Sequence, residues 1–263
     1  VNIMRRRLFQ MALATALAAL RTPARAARLT EAEVLALLAQ SGSGTRPELS
    51  GLDLSDLDLS RLDFRQALLS GASLFGTRLV LSNLAGADLS RANLNGAWLM
   101  GTDFSGARLV DAMLMSVVVL GGQVTARPVF AGADLSGARV IAEFPGVDLR
   151  RALLRGANLG VDIRNQGMGQ MRTNLSGARM SDADLAGADL NRSLLEFADL
   201  TGANLAGTKL YRAKLAGADL RGANVAGADF TEADLDGAKL AGVQGLAAAK
   251  GLDSATHLDR TIR

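Results

Sequence analysis

The chain of 263 residues contains no cysteine and a single histidine, His257. No disulfide framework can staple it and no thiolate can hold a metal. His257 stands near the C-terminus without a cysteine partner and reads as an exposed residue. Export does not require disulfides, so the missing cysteines say nothing about compartment. Proline is scarce (4) and aromatic residues make up only 4%, although 49% of the chain is hydrophobic. A core of this size must therefore be aliphatic. Glycine is plentiful, with 29 residues.

A large apolar residue returns every five positions. The series runs Leu49, Leu54, Leu59, Phe64, Leu69 and onward through Leu114 to Val119, then resumes from Leu175 through Leu185, Leu195, Leu205, Leu215, Val225 and Phe230 to Leu240. Two residues before each beat stands a small one, usually alanine (Ala87, Ala92, Ala97, Ala218, Ala223). On an α-helix five residues advance the direction by roughly 140°, which scatters the series around the axis. On a straight strand an odd period sends successive members to opposite faces. Either choice leaves half of the large apolar groups in water, at roughly 1.5–3 kcal/mol each. A chain that turns a corner in every repeat avoids this. Four corners close a square coil of about twenty residues, and coils stack at about 4.8 Å.

Units such as Ala87-Asp88-Leu89-Ser90-Arg91, Ala92-Asn93-Leu94-Asn95-Gly96 and Ala218-Asp219-Leu220-Arg221-Gly222 resemble the pentapeptide-repeat family. The resemblance spans residues 47–245. It implies an all-β solenoid, a right-handed quadrilateral β-helix with the central residue and the small residue two before it pointing inward. It implies little about function.

Residues 1–26 stand apart. Arg5, Arg6 and Arg7 precede an apolar run from Leu8 to Leu20, and Ala24-Arg25-Ala26 has the form of a cleavage site. This reads as a signal peptide, too short for an ordinary membrane span. Arg6-Arg7-Leu8-Phe9 also resembles the core of a twin-arginine signal, without settling the choice against the general secretory route. Five of the 29 basic residues lie before Ala27 and no acidic one does, leaving 24 basic against 26 acidic in the mature chain. The formal charge of +3 thus comes from the leader and gives no reason to expect nucleic acid as a partner.

Residues 27–46 read as a capping helix and linker. Thr30 and Glu33 form a capping box, and Val34, Leu35, Leu37 and Leu38 give an apolar face that could close the first coil. The five-residue beat slips at 120–134, 141–148 and 160–174. Sixteen residues separate Val119 from Leu135 and Leu159 from Leu175. Each of these two is read as a one-residue bulge over three units, with Asp162, Arg164, Asn165, Gln166 and Arg172 as a less favoured functional loop, while around Phe144-Pro145 the beat shortens by one. After Leu240 the spacing becomes six (Leu246, Leu252, Leu258). Residues 246–263 are expected to form a helical C-terminal cap.

No catalytic, cofactor or metal site can be named. Carboxylates such as Asp53, Asp58, Asp63 and Asp88 occupy the repeat's own Asp/Asn position, where they can bond nearby backbone. Calcium nonapeptides, phosphate loops and zinc spacings are missing from the sequence. Residues twenty apart should be vertical neighbours, and this arithmetic gathers Val80, Leu81, Trp98, Met100, Val118 and Leu120 on one outer face, with Phe75, Met113 and Met115 on the adjoining one. Two readings stay open. The patch is a protein-interaction or self-association surface anchored by Trp98, or the 121–130 segment, with Val124, Val129 and Phe130, folds back over it.

The leading functional reading is a non-enzymatic scaffold or protein-interaction module, exported to a bacterial periplasm or beyond. It would have no small-molecule substrate and no membrane span after cleavage. The alternative is a DNA-mimicking topoisomerase-binding protein of the quinolone-resistance type, which the resemblance brings with it. The arginines Arg78, Arg108, Arg139, Arg150, Arg151, Arg155 and Arg179 interrupt the negative surface such mimicry needs.

The inward assignment is testable. Leu89→Asp should abolish the cooperative thermal transition of the first block, since an ionised carboxylate would face only leucine. Asp88→Ser should melt close to wild type.

Overall fold

The computed structural model describes residues 29–40, 45–120, 124–161 and 172–262. The expected leader, the linker at 41–44 and residues 162–171 lie outside them. Each side of the coil contributes one bridge residue, and parallel bridges link residues one coil apart. Four columns result. The first side runs Glu48, Leu68, Asp88, Arg108, Asp134, Leu153, Asp184, Asn204, Asn224, Gln244. The second begins at Asp53, the third at Asp58 and the fourth at Asp63. The ten members of the first column mark ten coils. Only at β1 (Met113–Met115) and β2 (Arg139–Ile141) does the pairing lengthen into a named two-stranded parallel sheet.

The five-residue unit accounts for all five of its amide groups. The N–H of the central residue donates to the next coil, as Leu49 does to the Leu68 carbonyl at 2.7 Å. The second turn residue does the same, Gly51 to Ser70 at 2.9 Å. The bridge residue donates backward, Leu68 to Pro47 at 2.8 Å. The small residue closes the corner on the central carbonyl, as Ala87 does on Leu84 at 3.0 Å. The remaining amide, on the first turn residue, is taken by the Asp or Asn side chain two positions earlier: Ser55 by Asp53, Ser90 by Asp88, Ala206 by Asn204. Buried donors are thus paired by the neighbouring coils, the corner and the turn side chain.

The second turn residue has positive φ at the regular corners. Glycine supplies it at many corners, but Asp56, Gln66, Leu81, Asp182 and Phe197 also adopt it, at φ between 57° and 59°. Several of these lean over a glycine one coil later. Leu81 lies against Gly101, Phe197 against Gly217 and Asp182 against Gly202. A glycine in those corners leaves room for the side chain stacked on it.

Inside, the central leucines from Leu49 to Leu235 and the alanines beside them are fully buried. The aromatic residues obey the coil spacing. Phe104 and Phe130 stack with ring centres 4.8 Å apart and planes 1° from parallel, and Phe144 meets Phe130 edge-on at 5.7 Å. Where a hydroxyl replaces alanine, it donates to a central carbonyl of the preceding coil. Thr77 reaches Leu54, Ser82 reaches Leu59 and Thr102 reaches Leu79, each at 2.7 Å.

The first coil differs. Its small positions hold Leu52, Leu57 and Leu62, which pack half-buried against the core together with Leu37 and Leu38 of α1 (Glu31–Gln40). The capping box forms as read: the Thr30 amide donates to Glu33 at 2.8 Å and the Glu33 amide to Thr30 Oγ1 at 3.3 Å. Of the expected apolar face, Val34 is buried while Leu35 is exposed. The segment also satisfies backbone that has no coil beneath it. The Leu29 amide donates to the Asp53 carbonyl at 3.2 Å, and Glu31 Oε1 accepts from the Asp58 amide at 3.1 Å.

The two sixteen-residue slips are not one-residue bulges. Asp103 bridges Val129 and Arg108 bridges Asp134, so the fourth coil carries six extra residues, all between its third and fourth sides. Arg139 bridges Asn158, a coil one residue short, and Glu143 bridges Asn174, a coil with eleven extra residues between its second and third sides. At the end, Asp229 bridges Lys250, Asp234 bridges Thr256 and Lys239 bridges Ile262. The six-residue spacing is therefore a tenth coil with longer sides. Its helical content among the described residues is two three-residue 3₁₀ turns, Leu246–Ala248 and Leu258–Arg260, in place of the helical cap expected for 246–263.

Two predictions test this framework. Gly237 and Gly245 both have positive φ (65° and 74°), but a Cβ on Gly237 meets nothing within 4 Å whereas one on Gly245 would lie 2.7 Å from the backbone of Ala226. Gly245→Ala should therefore lose more stability than Gly237→Ala in chemical denaturation, by about 1–3 kcal/mol for the added overlap.

The turn carboxylates give a second test. Hydrogen bonds from the Arg150 guanidinium, the Arg221 guanidinium and the Thr231 hydroxyl hold Asp148, Asp219 and Asp229 below the ordinary carboxylate range, against the opposing effect of burial. A depressed carboxylate stabilises the fold above its unfolded value of about 4, and that contribution disappears as pH falls through the folded value. The melting temperature should hold from neutral pH down to about 5 and then drop. Asp148→Asn keeps the turn acceptor and should flatten part of that drop.

Candidate interaction face

The third side of the coil and its two corners differ from the rest of the rod. The bridge column there runs Asp58, Arg78, Trp98, Val118 and resumes at Glu143, Asn174, Leu194, Lys214, Asp234. Both register insertions fall at its edges: the six extra residues between Val118 and Val129 at the corner with the fourth side, and the eleven between Asn158 and Asn174 at the corner with the second.

The residues singled out in the sequence meet at the N-terminal half of this face. Arg78 places its guanidinium carbon 4.4 Å from the centre of the Trp98 ring, so the indole is half-covered by a cation from the coil before it. Val80 and Val118 are half-buried and Leu81 and Leu120 exposed. Phe75 and Met115 occupy the same corner column two coils apart, and Met113 sits on the second side in β1. Phe75 is 50% exposed, Leu120 47% and Met113 38%. Met100 departs from the expected outward set, for it is only 4% exposed. Beside it the Gly101 amide donates to the Ala126 carbonyl at 2.7 Å, which ties the returning end of the first excursion to this corner.

The covering segment drawn from the sequence is mostly elsewhere. Phe130 is a core residue stacked on Phe104, and Val129 is the fourth-side bridge residue between Asp103 and Asp148. Pro128 is buried in the small-residue position. Residues 121–123 lie outside the described set.

Further along the same face stands a group that the sequence reading passed over except for Arg172. Arg192 and Arg212 follow it at twenty-residue intervals, the signal that could have found them. Tyr211 lies between them, with guanidinium carbons 5.9 Å (Arg192) and 5.0 Å (Arg212) from its ring centre. Arg212 pairs with Glu232 at 2.6 Å and Lys214 with Asp234 at 3.2 Å. Across the coil, at the corner with the fourth side, Phe197 is 75% exposed, the most exposed large apolar residue among those described.

The other faces are regular. On the first side Asn204 donates to Asp184 at 3.0 Å and Asn224 to Asn204 at 3.2 Å, an amide ladder running beside Ala186, Ala206 and Ala226. His257 Nδ1 lies 3.0 Å from Asp234 Oδ1 at the surface of the last coil. Among the described residues, no three His, Asp or Glu side chains are placed to hold a metal ion.

The chain is similar to several solved structures and to one family model. The crystal structure of HetL, a pentapeptide repeat protein involved in heterocyst differentiation regulation from the cyanobacterium Nostoc sp. strain PCC 7120, is 30% identical over 90% of this chain and all of that one, with a TM-score of 0.46. QnrB1, a plasmid-mediated fluoroquinolone resistance protein, is 20% identical over 73% of this chain and 96% of its own, with a TM-score of 0.35. Rfr23, a pentapeptide repeat protein of the cyanobacterium Cyanothece 51142, is 32% identical over 46% of this chain and 90% of its own, with a TM-score of 0.24. No curated protein matches the chain. The family description "Pentapeptide repeats" matches in eight copies, over residues 48–84, 67–106, 82–117, 178–217 and 208–244. With the repeat matched over these residues and the coils stacked in four columns, the chain belongs to the pentapeptide-repeat family.

Proposed function

We propose that this protein is an exported, non-enzymatic scaffold that binds a protein partner, or a second copy of itself, through the third face of its coil. The observation that carries the reading is the exposure of Phe75, Leu81, Met113 and Leu120 close together around Trp98. Apolar groups concentrated in this way mark contact surfaces, and a tryptophan near the middle is the usual anchor. Export rests on the Arg5–Arg7 start, the apolar run and Ala24-Arg25-Ala26. Among the described residues no helix is long and apolar enough to cross a membrane.

The topoisomerase-mimic alternative asks for a continuous negative face. Here the first side alternates Asp88, Arg108, Asp134, and the second carries Arg139 between Met113 and Asn158. No observation on the rod favours that reading.

Crosslinking and pull-down of the mature protein from envelope fractions tests the proposal. Trp98→Ala should reduce recovery of the partner or the crosslinked dimer by about tenfold or more, the effect of losing a buried aromatic anchor. Equal recovery from wild type and variant would contradict the role of the face, and a leader-retaining protein confined to the cytosol would contradict export.

A further inference from the structure

We infer that the cleft at the corner between the second and third sides of coils six to nine is a binding site for a doubly charged oxyanion of the phosphate class. The cleft has a volume of about 490 Å³ and is lined by Arg172, Arg192, Arg212, Lys214 and Glu232. Stacking sets its geometry. The three arginines occupy successive coils, so their backbones are about 4.8 Å apart along the rod and their side chains rise from one edge. Tyr211 holds two of the guanidiniums against its ring.

Charge balance identifies the ligand. Elsewhere in this half of the rod most cations have a carboxylate partner: Arg155 has Asp184, Lys209 has Asp189, Arg221 has Asp219 and Arg260 has Asp236. Within the cleft, Glu232 offsets Arg212 and Asp234 offsets Lys214. No carboxylate among the described residues is within ion-pair distance of Arg172 or Arg192. Among the described residues, two guanidinium charges therefore face the cleft without an ion-pair partner, which a dianion matches. Guanidinium forks suit tetrahedral oxyanions because each can donate two parallel hydrogen bonds. The site is independent of the apolar patch on the earlier coils, and neither reading requires the other.

Calorimetric titration of the purified full chain with inorganic phosphate at low salt and mildly alkaline pH tests it. Saturable binding is expected. Arg172→Gln and Arg192→Gln should each weaken it by about tenfold, the loss of one charge-assisted hydrogen-bonding group. Glu232→Gln should strengthen it, a change that a purely structural role would not produce. Arg221→Gln, on the fourth side, should leave it unchanged. Phenyl phosphate run in parallel separates the two sources of the same chemistry: tighter binding than inorganic phosphate points to a phosphate ester, equal binding to the free ion. No saturable binding of either, or an equal loss from Arg221→Gln in a variant that melts like wild type, would overturn the assignment.

Discussion

The structure depends on hydrogen bonds between coils. In the regular five-residue unit three backbone amides reach a neighbouring coil, one closes the corner, and, where the bridge residue is Asp or Asn, its side chain takes the fifth. No side is long enough to be an ordinary strand. Its stability comes from being stacked, as in other quasi-one-dimensional repeats. The leucine columns follow from that stacking, since a central residue held above its counterpart one coil away stays dry. The same dependence explains the N-terminal end. With no coil beneath them, the bridge groups of the first coil turn to Leu29 and Glu31, and the small positions widen to Leu52, Leu57 and Leu62 under α1.

The inner half of the molecule was legible in the sequence because burial forces periodicity. The five-residue beat identified Leu89 and its counterparts as core, the small residue as their neighbour, and the Asp/Asn position as a turn acceptor. The capping box at Thr30 and Glu33 was equally readable. The irregular segments were not, for an arithmetic reason. Insertions of one, six and eleven residues leave the same remainder on division by five. The sixteen residues from Leu159 to Leu175 fit three units with one extra or a single side with eleven extra, and only the Asn158–Asp189 and Glu143–Asn174 bridges decide between them. Phe130 was misplaced for the same reason, since its stacking on Phe104 follows from a six-residue excursion that a beat cannot count.

The outer surface is where the sequence was least informative, because solvent tolerates almost any residue there. Vertical arithmetic still grouped Trp98 with Val118 and Leu120, and the coil confirms that these share a face. It missed Arg192, Tyr211, Arg212 and Phe197, whose placement depends on the coils being back in register after the second excursion. Only with the coil in place does one face stand out as bordering both excursions, carrying the exposed apolar cluster at one end and the arginine cleft at the other. The remaining sides repeat turn acceptors and ladders, of which Asp184, Asn204 and Asn224 are the plainest case.

Residue-resolved amide hydrogen exchange tests the inter-coil pairing most directly. The account predicts a five-residue rhythm across 175–240: slow exchange at bridge, central and second turn amides such as Asn204, Leu205 and Gly207, and faster exchange at first turn amides such as Ala206, which are held only by a side chain. Uniform exchange along the unit, or a rhythm of two or of three to four residues, would contradict it.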